Sequence, residues 1–420
     1  MALELAAKCW RLSVVDEILH LVSYDQKDLN MALQSAVGSR MEYGDELYPN
    51  ITPVEYVDQQ VLIEHLINAG ADPNFCVDGC PPLVIQAAAD EPELTCALRM
   101  LLEKGADPNA SDQHGNTALH VLTRGNWTPY VLTRVNTPWN RTGIHVLLSH
   151  NADACIANNE GITALQLAAQ YAPDPYDFNS LLARYISSGE TAADFATPSN
   201  ESLLHFAALG GKRATIEMLI SSHSLDVNLK TQTGWTPLMY ALLPKRSAAN
   251  DDGEGTLHES VRSARLLLSH GANPLITTHE GWTPLHVLSL HLDAAQDGFA
   301  KSLALDLIKL GAPINPPAPA LHPLHKNHAM SQRFRDPPGQ WQELLLLHWA
   351  AQHGAVDVVK ALIESGVDVT EEDKYGQTAM EVAAGSDFLK ERVRGHWPLR
   401  EMGRAGKMVM EVLDQAGGGR

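Results

Sequence analysis

The chain of 420 residues is poor in cysteine, in aromatic residues and in basic residues. Its five cysteines are odd in number and irregularly spaced, so we expect reduced, buried thiols in an intracellular protein instead of a disulfide framework. Aromatic residues make up only 6%, while Leu and Ala are abundant, which favours helices over sheets. The formal net charge of −19 argues against tight binding to nucleic-acid phosphates or anionic membranes.

The sequence also lacks the apolar runs of a membrane protein and the motifs of common enzymes. No run approaches the ~20 apolar residues that span a bilayer. The first residues include Glu4, Lys8 and Arg11, so no signal peptide is predicted. Serine-nucleophile, zinc-peptidase and phosphate-loop motifs are absent. We therefore expect a non-enzymatic protein of the cytoplasm or the nucleus, with no catalytic residue, cofactor or metal.

Two short phrases alternate along most of the chain. One runs Gly-x-Thr-Pro/Ala-Leu, as in Gly281-Trp-Thr-Pro-Leu-His286, and the other resembles Gly105-Ala-Asp-Pro-Asn109. Thr caps a helix that Pro or Ala begins, and the preceding Gly permits a turn with positive φ. The Gly of the second phrase ends a second helix. Each unit of sequence thus predicts a turn followed by two helices. The first phrase begins at Gly79 in a worn copy and at Gly115, Gly161, Gly234, Gly281 and Gly376.

This order of capping, core and terminating residues resembles the ankyrin repeat. The resemblance covers nearly the whole chain as about ten repeats, whose irregular spacing around the family period of ~33 residues indicates insertions. It implies an all-α solenoid of stacked helix-turn-helix repeats with short β-turn fingers. We divide the chain into degenerate N-terminal repeats (1–74), central repeats (75–315), a Pro- and His-rich inserted loop (316–342), and C-terminal repeats with a cap (343–420).

Most of the extra residues fall between the two helices of a repeat. Segment 316–342 instead separates two repeats and replaces a finger with a Pro-rich loop. Insertions of this kind can form a binding surface, or they can reflect the tolerance of surface loops for length changes. Both interpretations stay open. The insertions between helices are predicted at residues 37–57, 123–140, 243–256 and 385–404.

Charge is unevenly distributed along the chain. Residues 41–98 contain eleven acids and no Lys or Arg, whereas six of the eight charged residues in 389–407 are basic. In a solenoid, sequence distance becomes spatial distance, so one end would be acidic and the other basic. The acidic end could steer a partner with a basic patch, or it could serve only to keep the array soluble.

Histidines and cysteines raise the question of a metal site. His322, His325 and His328 have ligand-like spacing, but a tetrahedral zinc site needs a fourth ligand and no Cys lies near them. Cys76 and Cys80 lack the spacing of a zinc pair and are interpreted as buried small residues. No metal site is therefore predicted. The remaining histidines of interest occupy the repeat phrase, where the family resemblance implies hydrogen bonds between repeats. They are His120, His205, His286 and His348.

The ankyrin resemblance implies that partners bind to finger tips and to a concave groove. Trp235 and Trp282 follow tip glycines, where we expect them either to face the groove as hot-spot residues or to pack against a neighbouring finger. The predicted tips are Gln113, His114, Asn159, Glu160, Gln232, Thr233, His279, Glu280, Lys374 and Tyr375.

The sequence as a whole predicts an intracellular scaffold or adaptor that binds another protein through the groove. The expected partner is a protein, with a basic patch as one version, and not nucleic acid or a membrane; the chain itself is expected to be a monomer. A narrower alternative is a transcriptional co-regulator that acts through protein contacts. The rival of another class is an atypical enzyme with a site at the loop of His322, His325 and His328.

Overall fold

The computed structural model of the chain contains two compact units, Met1–Ser188 and Gly189–Arg420, called here the N-terminal and C-terminal units. Regular structure in the described residues consists of helices and a few isolated β-bridges. The division of the chain into four segments was made from repeats and insertions, not from compact units, and it stays a prediction. The described residues are 2–38, 53–77, 80–90, 95–124, 141–186, 189, 191–244, 254–291, 298–317, 345–373, 375–385 and 399–417.

The N-terminal unit is a stack of helical pairs. Odd-numbered helices pack on one another in chain order from α1 to α9, and even-numbered helices do the same from α2 to α8. Each odd helix also packs on the even helix that follows it, so every pair forms one layer of the stack. The helices are α1 Ala2–Lys8, α2 Leu12–Leu21, α3 Gln26–Gly38, α4 Pro53–Asn68, α5 Leu83–Asp90, α6 Cys96–Glu103, α7 Ala118–Arg124, α8 Arg141–Ser149, α9 Ala164–Tyr171 and α10 Pro175–Ile186.

The C-terminal unit repeats this arrangement after a short 3-10 turn at Ala192–Phe195. Its odd-numbered helices stack from α11 to α19 and its even-numbered helices from α12 to α20. The all-α fold of stacked helical pairs predicted from the sequence is confirmed. The helices are α11 Leu203–Gly210, α12 Arg213–Ser221, α13 Pro237–Ala241, α14 Glu254–Ser269, α15 Pro284–Leu288, α16 Phe299–Lys309, α17 Leu346–Gln352, α18 Val356–Glu364, α19 Ala379–Gly385 and α20 Leu399–Gly417.

The recurring Thr begins the first helix of a repeat, as its chemistry requires. Thr163 Oγ1 accepts the backbone N–H of Gln166 at 3.2 Å, and the Gln166 side chain in turn accepts the Thr163 N–H at 2.9 Å. Thr236 and Thr283 cap α13 and α15, and each is followed by a proline in the first turn. These caps satisfy backbone donors that a helix start leaves without partners.

Short fingers connect one helical pair to the next. The bases of three fingers are closed by isolated antiparallel bridges, Ser111 to Thr117, Ala157 to Thr163 and Glu372 to Thr378. A fourth bridge joins Pro317 to Leu345, and the N–H of the next residue, Leu346, donates to Pro316 O at 3.1 Å. The Pro-rich insertion therefore starts and ends at the base of a finger, while residues 318–344 themselves lie outside the described part.

The other large insertions are also flanked by the helices predicted to flank them. Residues 39–52 separate α3 from α4, 125–140 separate α7 from α8, 245–253 separate α13 from α14, and 386–398 separate α19 from α20. Each of these helix pairs belongs to one repeat, and its helices still pack on those of the neighbouring repeats. The inserted residues therefore add length between two helices without changing the stack. The inserted residues are outside the described part of the chain.

Candidate protein-interaction surface

The fingers turn on one recurring hydrogen bond. A polar side chain at the start of the turn accepts the backbone N–H of the residue four positions later. Asp112 Oδ1 accepts from Asn116 N at 2.8 Å, and Thr278 Oγ1 accepts from Trp282 N at 3.0 Å. We call the accepting residue the bracket residue, because it fixes the shape of the tip. The bracket residues are Asp112, Asn158, Thr197, Thr231, Thr278 and Asp373.

Neighbouring fingers of the N-terminal unit are hydrogen-bonded to each other. The Asn159 N–H donates to His114 O at 2.9 Å, and its side-chain amide donates to Gln113 O at 3.0 Å. Gly115, at φ +77°, lies so close to the next finger that a Cβ there would stand 2.8 Å from Asn159 N. The two tips thus form one rigid edge.

The fingers of the C-terminal unit are joined in the same way. Gln232 donates through its backbone N–H to Ser199 O at 2.8 Å and through its side chain to Pro198 O at 2.7 Å. The His279 N–H donates to Thr233 O at 3.0 Å. A surface that is already ordered loses little entropy when it binds, which suits a recognition surface.

Buried histidines behind the fingers hold the repeats together, as the sequence predicted. His120 Nδ1 accepts the Thr117 N–H at 3.1 Å, and the opposite ring nitrogen donates to Ile162 O of the next repeat at 3.0 Å. His348 reaches Gln377 O at 2.9 Å in the same manner. Burial lowers the pKa of His205 to about 4, so its neutral form prevails and its role is structural.

Comparison with known families agrees with this architecture. The family model described as "Ankyrin repeat" matches residues 233–279, and the one described as "Ankyrin repeats (many copies)" matches residues 347–390. The chain is an ankyrin repeat protein. Ankyrin repeats generally mediate protein–protein interaction, and this coarse function applies to the chain.

Relatives of this ankyrin repeat protein have diverse names. Rabankyrin-5 of Homo sapiens is 29% identical over 201 residues, which are 43% of this chain and 15% of the relative. The transient receptor potential cation channel subfamily A member 1 of Homo sapiens is 28% identical over 213 residues, covering 50% and 17%. NF-kappa-B inhibitor delta of Mus musculus is 26% identical over 223 residues, covering 50% and 62%. The chain spans less than two thirds of each of these relatives.

Of the two alternatives for Trp235 and Trp282, the one in which they face the groove of the ankyrin array is wrong. Their exposed fractions are 3% and 0%. Each lies four residues after a bracket residue, at a position that points into the repeat stack, and the indole of Trp282 meets that of Trp349 edge-on at 4.9 Å between ring centroids. Trp349 Nε1 donates to His286 O at 3.1 Å, which ties α17 to α15. Both predicted tryptophans are core residues.

The predicted tip residues that the structure describes do lie in the turns of the fingers. Asn159 and Gln232 use their side-chain amides to hold the neighbouring finger. Tyr375 is the most exposed aromatic tip, with 58% of its surface accessible. Glu280 is half-buried, and Lys374 lies outside the described residues. Contact with a partner stays a prediction for all of them. The exposed tips are Gln113, His114, Asn159, Glu160, Gln232, Thr233, His279 and Tyr375.

The expectation of buried thiols is wrong for the majority of the cysteines. Cys9, Cys76 and Cys80 are exposed, and Cys96 and Cys155 are half-buried. Cys76 and Cys80 belong to a finger, which is a surface turn, and not to a helix that packs in the core. Composition alone could not distinguish these two environments.

Only some of the residues in the predicted acidic and basic segments belong to the described part of the chain. Glu64, from the acidic segment, is paired with Lys104 at 2.9 Å, and the ammonium group lowers the pKa of this carboxylate. Asp72 accepts the Asn74 N–H at 2.9 Å. The predicted acidic steering surface thus stays a prediction, because many of residues 41–98 and most of the basic segment 389–407 lack described side chains. The histidine cluster of the inserted loop is also outside the described residues.

Sequence reasoning missed the ladder formed by the closing phrases of successive repeats. Asn74 Oδ1 accepts the Asp107 N–H at 2.7 Å, and its side-chain amide donates to Gly105 O at 3.1 Å. Asn228 makes the same pair of bonds to Asn273 N and Gly271 O. The signal was the recurring last Asn of the phrase. This ladder fixes the spacing of repeats on the edge that carries the closing turns.

Two properties of the described residues bear on other functions. No helix among them is both long enough and apolar enough to cross a membrane. Within the same residues, no group of His, Cys, Asp and Glu has an arrangement that could hold a metal ion.

Proposed function

We propose that this ankyrin repeat protein is a non-enzymatic intracellular adaptor or scaffold, which binds a partner protein through its finger tips and the groove beside them. The observation that carries the proposal is the edge of hydrogen-bonded fingers. Backbone bonds between tips order the fingers within each unit, while side chains are exposed at the tips, such as His114 and Glu160 in the N-terminal unit and His279 in the C-terminal unit. A rigid edge with exposed, varied side chains is suited to selective recognition.

The proposed partner is a protein with a basic patch. Glu160 and Glu280 lie at finger tips, and the chain carries 50 acidic against 31 basic residues. Complementary charge would speed the encounter and select among partners more than it would add affinity. A second candidate function is transcriptional co-regulation through protein contacts. Its support is the similarity to NF-kappa-B inhibitor delta, whose name describes a regulator.

Affinity capture from the native cell tests the proposal. The tip variant His114→Ala with Glu160→Ala should reduce the captured partner roughly tenfold, because loss of a hot spot costs about 1.4 kcal/mol or more. The matched control, His145→Ala with Glu103→Ala, changes the same residue types at exposed positions of α8 and α6 and should capture the partner as before.

Loss of the partner in the control but not in the tip variant would place the binding site on α6 and α8, which would contradict the proposal. The identity of the captured protein separates the two candidate functions. A DNA-binding protein would support transcriptional co-regulation, and a partner without DNA-binding activity would support the adaptor.

A further inference from the structure

One finger carries cysteines at the two positions that other fingers bring together. Cys76-Val-Asp-Gly-Cys80 aligns with Asp112-Gln-His-Gly-Asn116, so Cys76 takes the place of the bracket residue. In the finger of Asp112, the side chains at these positions meet, with Asn116 Nδ2 3.3 Å from Asp112 Oδ2. In that finger the two positions thus bring their side chains into contact.

The cysteine finger keeps this proximity although its hydrogen bonds differ. Cys76 Sγ lies 3.1 Å from Cys80 O, and the Cys80 N–H donates to Val77 O at 2.9 Å. A disulfide requires Cβ atoms about 3.5–4.5 Å apart. The contact of the Cys76 sulfur with the Cys80 carbonyl shows that the two residues lie near each other. The backbone of the turn sets the separation of their Cβ atoms, and rotation of the two side chains about χ1 then directs the sulfurs towards each other.

Both thiols are exposed, so a small oxidant in solution can reach them. The nearest cysteine in sequence, Cys96, begins α6 and is half-buried. A pair separated by three residues in one turn also has a high effective concentration, because little chain entropy is lost when the ring closes. Exposure and proximity together distinguish this pair from the other cysteines.

We propose that Cys76 and Cys80 form a redox pair that hydrogen peroxide converts to a disulfide across the finger. The thiolate of one cysteine attacks a peroxide oxygen and the O–O bond breaks, which gives a sulfenic acid and hydroxide. The hydroxide takes up the proton that the thiol had lost and becomes water. The sulfur of the second cysteine then attacks the sulfenic sulfur, the S–S bond forms, and a second water leaves. Two electrons pass from the sulfurs to the peroxide. The proposal does not depend on the function proposed above.

Peptide mapping of the full chain tests the proposal directly. After peroxide treatment and alkylation of the remaining thiols, the protein is unfolded and cleaved on the N-terminal side of aspartates. Cleavage before Asp78 separates Cys76, in Asp72–Val77, from Cys80, in Asp78–Ala89. We expect the two fragments to remain joined as the major oxidised species and to separate when a dithiol reductant is added.

Single variants show whether the pair acts together. Cys76→Ser and Cys80→Ser should each abolish the joined fragments and leave one thiol that dimedone traps as a sulfenic acid. Cys96→Ser, the matched control, should leave them unchanged. Alkylation of both fragments separately, a link from Cys80 to the fragment with Cys96, or a link between chains would each overturn the proposal. Because both positions are exposed, thermal unfolding of the variants should match that of the parent chain.

Discussion

The same finger position carries different chemistry in the two units. Four residues after a bracket residue, the N-terminal unit has Asn116 and Ile162, whereas two fingers of the C-terminal unit have Trp235 and Trp282. These four side chains are buried, while the other two bracketed fingers of the C-terminal unit have the more exposed Glu201 and Gln377 there. Asn116 and Asn158 form a chain of two side-chain amides, in which Asn116 Oδ1 accepts from Asn158 Nδ2 at 2.9 Å. The tryptophans instead fill the space between helices with indole rings.

This comparison shows that the repeat fixes the path of the backbone but not the type of side chain that is buried behind the finger. Polar side chains at this buried position need a partner for every hydrogen-bond donor and acceptor. In return, their directional hydrogen bonds fix how neighbouring fingers are placed. An aromatic filling buries more apolar area and relies on shape. Among the described residues the C-terminal unit buries five histidines and the N-terminal unit one, His120. In the C-terminal unit the rings of Trp349 and His353 lie 3.9 Å apart between centroids. We therefore expect the two units to respond differently to cavities, to acid and to loss of amides.

The largest effect should come from a cavity in the aromatic core. Trp282→Ala should reduce the free energy of unfolding by about 3–5 kcal/mol, as large-to-small core changes do. Hydrogen exchange should show the greatest loss of protection in the adjacent helices α13, α15 and α17, because a repeat contacts only its neighbours. Ile162→Ala is the matched change in the N-terminal unit and should cost less. An equal loss of protection from α11 to α20 would contradict the nearest-neighbour picture.

The C-terminal unit should lose stability in acid. Burial lowers the pKa of His205 to about 4 and that of His286 to about 3, from an ordinary value of 6.5. Below pH 6.5 the unfolded chain binds protons at these residues while the folded unit does not, so stability falls as pH falls towards 4. The expected loss is about 1.4 kcal/mol per pH unit and histidine.

Denaturant unfolding between pH 7 and pH 5 measures this slope. His205→Gln should flatten the pH dependence by one proton, whatever its effect on stability at neutral pH. The exposed His279→Gln is the control and should leave the slope as it is. A slope that His205→Gln leaves unchanged would contradict the assigned role of this histidine.

The smallest effect should distinguish the bracket residues of the two units. Asn158→Ala removes the acceptor of two backbone N–H groups and the donor to Asn116, which should cost about 1–3 kcal/mol. Thr278→Ala removes the side-chain acceptor of Trp282 N and should cost about 1 kcal/mol. Urea unfolding of both variants gives the comparison. Equal costs would show that the amide chain adds nothing to the bracket.

The sequence predicted the features that depend on local chemistry. Thr caps, turns at glycines and helical pairs follow from the properties of a few neighbouring residues, and the structure has them. The direction of Trp235 and Trp282 depends on which residues the next repeat presents, and a single repeat phrase does not contain that information. The exposure of Cys76 likewise depends on its register in a worn finger. The closing-turn ladder was hidden because its bonds join residues of different repeats.

The bridge between Pro317 and Leu345 has a consequence for how such proteins change over time. Since the chain can depart and return at this pair while α16 still packs on α18, new sequence can enter there without altering the register of the helices. Selection can then act on the added segment separately from the stack that supports it. A finger base of this kind is therefore a site where insertions can give a repeat array new surface while its helices keep their packing.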